Sequence, residues 1–215
     1  MNKPFEVVFN DEYLIVVNKI AKILVQPTTN EKKNTLTTLL AKHLGAKVFP
    51  CHRLDKETTG LLVYAKNSQI QTDIMEQFQR GSVFKRYIAF IKGRLKDKKG
   101  LLEDYILDKD GVKFGEKEKE AKTAYKVLKL FEYFSVLELK PYTGRTNQLR
   151  IQLAKIGHPI LGEDKYAFRR DFEIRFKRIA LHAFYLSFIH PVSKDVVELK
   201  IPWATDMENF LYRFN

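Results

Sequence analysis

The residues best placed to do chemistry in this 215-residue chain lie in two polar loops and one strand. The first loop belongs to Cys51–Lys66, CHRLDKETTGLLVYAK. There Arg53, Asp55 and the turn-forming Thr58-Thr59-Gly60 stand between the apolar residues Val48-Phe49 and the run Leu61 to Ala65. A carboxylate that is ionised and held in place can act as nucleophile or base, and a nearby cation secures both conditions. The second loop, Tyr142 to Thr146, offers that cation in Arg145, flanked by Gly144 and followed directly by helix-forming sequence. Tyr87 sits in an apolar run and offers a ring and a hydroxyl. Ordinary readings exist for each. Asp55 could cap a turn, Arg53 could be solvated, Arg145 could hold a phosphate or a structural salt bridge, and Tyr87 could be a half-buried strand residue.

The elements that must position these groups follow from periodicity and punctuation. Phe5 to Phe9 and Tyr13 to Val17 read as two strands divided by Asn10-Asp11-Glu12. Leu24-Val25 leads to Pro27, after which Asn34 or Thr35 can cap a helix with a Leu36, Leu39, Leu40, Leu44 stripe, ended by Gly45. Leu61 to Ala65 reads as a buried strand. Ser68 and Gln71 fit a capping box for a helix with Ile70, Ile74 and Phe78 on one face and Gly81 at its end. Val83 to Ile91 is the strand that carries Tyr87, and Lys92 to Lys99 is a basic turn region. Leu101 to Leu107 and Ala121 to Phe131 can form a hairpin, joined by a mobile loop around Asp110 to Lys119. Phe134 to Leu139 is a further strand. Leu149, Leu153 and Ile156 mark the inner face of a helix closed by Gly157. Ile179 to Ile189 and Val196 to Ile201 are late strands, with Trp203 packing the terminus. Many strands with few, separated helices predict an α+β fold with a mixed, mainly antiparallel sheet, in one domain over 1–215.

Composition narrows the partners. Thirty-eight Lys and Arg against 26 Asp and Glu give a net charge of +12, which attracts polyanions, nucleic acid first. A single cysteine excludes an intramolecular disulfide and a multi-cysteine zinc site. The N-terminus lacks the pattern of a signal peptide, and no run approaches the ~20 apolar residues of a membrane helix. A cytoplasmic protein is expected, with no membrane association. No phosphate-binding glycine loop or metal-ligand cluster occurs, so neither cofactor nor metal is expected.

The order of the motifs adds a resemblance. His52-Arg53-Leu54-Asp55 followed by Thr58-Thr59-Gly60-Leu61-Leu62 resembles the signature of the RluA family of RNA pseudouridine synthases. That family usually reads Thr-Ser-Gly where this chain has Thr-Thr-Gly, an exchange of one hydroxyl for another. Asn18-Lys19 with Leu24-Val25, Lys85-Arg86-Tyr87-Ile88-Ala89 with Gly93, and Thr143 to Arg150 with Gly157 to Gly162 resemble further family segments in the expected order. Leu181-His182-Ala183 and His190-Pro191 complete the set. The family commonly has His where this chain has Asn147. The pattern begins close to Met1, so a stand-alone catalytic domain without an N-terminal RNA-binding domain is expected.

The resemblance implies a base-flipping isomerase of structured RNA; ribosomal RNA is the first candidate and tRNA the second, and a monomer is expected. It implies that Asp55 is the catalytic aspartate, attacking the sugar or removing its 2′ proton, and that Arg145 pairs with it. Tyr87 would stack on the detached uracil with its hydroxyl near C5. Arg53 would fill the gap left by the flipped base, phosphate binding being its plainer use. Leu149 would wall the uracil pocket or belong to the core. Arg150 and the cations between Lys165 and Arg178 (Lys165, Arg169, Arg170, Arg175, Lys177, Arg178) are candidate backbone contacts. The rival readings are a non-catalytic RNA-binding or RNA-folding protein on the same scaffold and a nucleoside-bond hydrolase.

Overall fold

A computed structural model describes residues 4–28, 34–107, 118–168, 170 and 172–214. In chain order its elements begin with β1 (Phe5–Asn10), β2 (Leu14–Lys19), α1 (Leu36–Leu44), β3 (Phe49–Pro50), β4 (Thr59–Ala65), α2 (Ser68–Gln79) and β5 (Phe84–Lys92). There follow β6 (Lys99–Leu107), β7 (Glu118–Leu130), β8 (Phe134–Pro141), α3 (Gln148–Lys155), β9 (Leu181–Ile189), β10 (Val196–Lys200) and α4 (Thr205–Leu211). The chain divides into two compact units, Met1–Lys85 with His182–Ala204 and Arg86–Leu181 with Thr205–Asn215.

In the first unit β4 is the centre, buried at every residue because it lies between partners on both sides. Antiparallel β2 pairs it from Leu14↔Ala65 to Lys19↔Gly60, and β1 pairs β2 in turn. The β1–β2 turn is closed by the Asp11 carboxylate, which accepts from the N–H groups of Tyr13 and Leu14 at 2.7 Å each. On the other side β9 meets β4 in parallel register, Thr59↔His182 and Gly60↔Ala183, and antiparallel β10 continues along β9. Gly60 is required at this crossing. Its φ is +116°, and a Cβ there would stand 2.2 Å from the Ala183 carbonyl oxygen. The helices hold the outer faces through Leu36 and Leu40 of α1 and Ile70 and Ile74 of α2. Thr35 caps α1, as the sequence allowed. Asn67, one residue before the expected capping box, caps α2 by accepting the Ile70 N–H at 2.9 Å.

The second unit is an antiparallel sheet in the order β5-β8-β7-β6. Its interior is aromatic. Phe90, Phe131, Phe134, Phe176, Phe210 and Phe214 form one run of ring contacts, with Phe131 and Phe134 stacked at 4.4 Å between centroids. Such pairs add about 0.5–1.5 kcal/mol each beyond their area burial. The short helix α4, which sequence periodicity does not announce, supplies Phe210 to this cluster. On α3, Leu149 and Leu153 face inward as expected, but Ile156 is 43% exposed and outside the helix. Buried Gln148, Arg150 and Gln152 take the remaining inner positions. The expected mobile loop falls mostly outside the described residues, and Glu118 and Lys119 belong to β7.

Candidate active site

Arg53 and Asp55 belong to the first unit, in the loop between β3 and β4. Three devices hold that loop. The backbone N–H of Thr58 donates to the Asp55 carbonyl at 3.1 Å, closing a turn directly after the carboxylate. The Lys19 ammonium, 1% exposed, donates to the carbonyl oxygens of Lys56, Thr58 and Ile20 at 3.1, 2.8 and 2.9 Å. A buried cation is tolerated there because those acceptors replace its water. His52 fastens the other end, its Nε2 accepting the Val63 N–H of β4 at 3.1 Å. Burial, then the positive charge of Lys85, pushes the His52 pKa down to about 3, so the ring is neutral and carries its proton on Nδ1. Its face lies 4.6 Å from the Phe78 ring of α2.

Thr59 and Gly60 then anchor the turn on β9. Thr59 Oγ1 lies 2.8 Å from His182 Nδ1, while His182 Nε2 lies 3.0 Å from the Pro202 carbonyl. Nε2–H donating to the carbonyl and Nδ1 accepting from the hydroxyl satisfies both bonds. The hydroxyl is what this position uses, and Thr supplies it as Ser would. Cys51, beside the loop, is buried with its thiol pushed up to about 12 by desolvation, which leaves it inert.

Tyr87, Arg145, Leu149 and Arg150 belong to the second unit. Tyr87 is half-buried on β5 and registers with Leu139 of β8. Arg145 lies in the loop between β8 and α3, and that loop is clamped to β7 by a buried glutamine. Gln148 Oε1 accepts from the Arg145 N–H at 3.0 Å and from the Thr143 hydroxyl at 2.7 Å. Gln148 Nε2 donates to Thr123 Oγ1 at 2.9 Å, and Thr123 donates to Gln152 Oε1 at 2.7 Å. Arg145 Nε donates to the Glu120 carbonyl at 3.0 Å, which fixes the direction of its side chain. Sequence periodicity marked this helix face by its leucines. Two glutamines four apart beside them were the available sign of the polar network.

Arg150 is buried and engaged within the protein. It is 8% exposed and forks onto Glu163 through two bonds of 2.8 Å. It also donates to Asn147 Oδ1 at 3.1 Å. Burial by itself raises the Glu163 carboxyl, but Arg150 and the N–H groups of Lys165 and Tyr166 outweigh it and hold it below the usual range. Asn147 adopts φ +56°, a left-handed conformation that Asn tolerates better than most side chains. Its amide donates to the Tyr166 hydroxyl at 3.0 Å. Arg178 is likewise committed, to Asp206 through bonds of 2.7 and 2.8 Å and to the Ile179 and Leu181 carbonyls. Both arginines read as surface cations because their acidic partners lie outside their own helical or strand spacing. Lys165, Arg170, Arg175 and Lys177 are exposed, and Arg169 lies outside the described residues. Among the described residues no group of three or more His, Cys, Asp or Glu could hold a metal ion.

The strands that carry these loops pair mainly antiparallel, with one parallel contact between β4 and β9. The RNA pseudouridylate synthase family model matches residues 13–155, and the chain belongs to that family. A tRNA pseudouridine synthase C from Vibrio parahaemolyticus is 34% identical, over 97% of this chain and 94% of that protein. A ribosomal large subunit pseudouridine synthase D from Nitrosomonas europaea is 33% identical, over 97% of this chain and 64% of that protein. The solved human protein RNA Pseudouridylate Synthase Domain Containing 4 superposes with a TM-score of 0.77 at 25% identity, covering 97% of this chain and 92% of that one. Human RNA Pseudouridylate Synthase Domain Containing 1 gives 0.75 at 28% identity, over 92% and 83%. The resemblance to RluA-type enzymes holds, and the chain is an enzyme that isomerises uridine in RNA. No helix among the described residues is long and apolar enough to cross a membrane.

Proposed function

We propose that this protein converts uridines of structured RNA, ribosomal or transfer, to pseudouridine through Asp55, as a monomeric cytoplasmic enzyme whose single catalytic domain spans 1–215. The relatives act, by their names, on both kinds of RNA. The observation that carries the role of Asp55 is its turn, fastened from within by the buried Lys19 ammonium, which places a carboxylate on a rigid support. In the reaction the C1′–N1 bond breaks and a C1′–C5 bond forms. C5 gives up its proton and N1 gains one. Asp55 is the nucleophile or base that frees the base, and Tyr87 serves C5 directly or through a relay. Arg145 is a preorganised cation of the reaction, and Arg53 fills the gap that the flipped-out uridine leaves. Leu149 walls the uracil pocket, while Arg150 holds the Asn147 loop in place from within. No cofactor is needed for this isomerisation.

The test uses ribosomal and transfer RNA lacking prior modification, each tritiated at uridine C5. Release of tritium to water without free uracil is the expected result. Free uracil would mark a hydrolase, and no release from either RNA would remove the reading.

A further inference from the structure

The molecule buries several cations, and most are matched. Lys19 has its carbonyl oxygens, Arg150 has Glu163, and Arg178 has Asp206. Lys85 differs. Its side chain is half-buried, with Nζ 5.6 Å from the centroid of the Phe78 ring. Among the described residues no carboxylate and no hydrogen-bond acceptor engages it. An aromatic face only partly replaces the hydration of an ammonium, and desolvation accordingly lowers the Lys85 pKa. The same Phe78 ring packs on His52, which precedes Arg53 and Asp55 in the loop. A cation stripped of part of its water and left without a counter-charge beside this loop is an anion site in waiting.

We propose that the Lys85 ammonium is a binding site for a backbone phosphate of the RNA that the enzyme modifies, close to the uridine presented to Asp55. The inference rests on the RNA-modifying reading above. A phosphate oxygen supplies the charge and the acceptor that the protein withholds, and a strongly charged ligand repays the lost hydration best. A uracil carbonyl would supply an acceptor without charge. The two differ in salt dependence, because only a phosphate contact releases a counterion.

The experiment compares wild type, Lys85→Met and Lys85→Arg in tritium release and in RNA binding across a series of salt concentrations. All three are first checked for equal melting. Lys85→Met is expected to raise KM by about tenfold at moderate salt, with kcat retained. Its log–log salt slope should be shallower by about 1. Lys85→Arg keeps the charge and should restore both. A Lys85→Met enzyme with unchanged KM and salt slope, or one that loses kcat at an unchanged slope, would overturn the phosphate site and leave the pseudouridine reading standing. Failure of the wild type to release tritium or to bind RNA would instead strike the underlying reading. If Lys85→Met melts early, the slope measured on Lys85→Gln at low temperature decides in the same way.

Discussion

The Lys19 ammonium lies 2.8 Å from the carbonyl oxygen of Thr58, within the turn that Asp55 begins. Lys19 closes β2, whose register with β4 pairs it with Gly60. A side chain from the N-terminal hairpin therefore braces the loop that bears the carboxylate.

Replacing Lys19 with Met keeps much of the apolar stem and deletes the ammonium. The carbonyls of Ile20, Lys56 and Thr58 then lose a buried donor. Urea unfolding should show a loss of about 3 kcal/mol, the cost expected for buried polar groups left unmatched. Turnover at a temperature where the variant is folded should also fall, since the turn is freed. An unaltered turnover in a destabilised but folded variant would separate Lys19 from the site.

Gly60→Ala places a methyl 2.2 Å from the Ala183 carbonyl oxygen and 2.6 Å from its nitrogen. Neither is the movable end of a side chain, so β4 and β9 must part. We expect a loss above about 3 kcal/mol, visible as early melting or insoluble expression.

Gln148→Leu removes the acceptor of the Arg145 N–H and the donor to Thr123 while keeping most of the volume. Stability should fall by about 1–3 kcal/mol. Because the same amide clamps the Arg145 loop, kcat should fall in the folded variant, and Gln148→Glu should rescue little, having no amide to donate. Measured kcat equal to wild type would detach the clamp from catalysis.

The His52 ring gives a pH signature. Its pKa is about 3 in the folded protein against 6.5 ordinarily, so below pH 6.5 the unfolded chain takes up the proton first. The stability contributed by the neutral buried ring is complete above pH 6.5 and declines as pH falls toward 3. Depressed Glu163 also weakens the fold in acid, so the comparison with His52→Gln isolates the ring. The advantage of wild type over this variant should shrink between pH 6.5 and 4. A gap that stays constant in urea titrations would contradict a neutral His52.

Much of this was legible in the sequence, for reasons that differ by residue. Strands β2, β4, β5 and β8 are apolar runs bounded by polar turns, and α1 carries its own cap at Thr35 and its own stop at Gly45. The order of the motifs around Arg53, Asp55, Tyr87 and Arg145 pointed to the family. The supporting contacts did not. Lys19 and Thr58 are far apart in the chain, as are Arg150 and Glu163, and only the closed sheet and loops bring them together. Helix α4 is too short for periodicity to show, and its Phe210 acquires meaning only against Phe90 and Phe134. Arg150 and Arg178 looked like surface charge because a sequence does not reveal which cations have been given carboxylates.

The most direct measurement takes C5-tritiated RNA that the wild type modifies and incubates it with Asp55→Ala and Asp55→Asn, scoring tritium release and RNA affinity together. Release at background with affinity close to wild type is the result that the proposed role of Asp55 predicts. Turnover by either variant at the wild-type rate would contradict the assignment of Asp55 as the catalytic group.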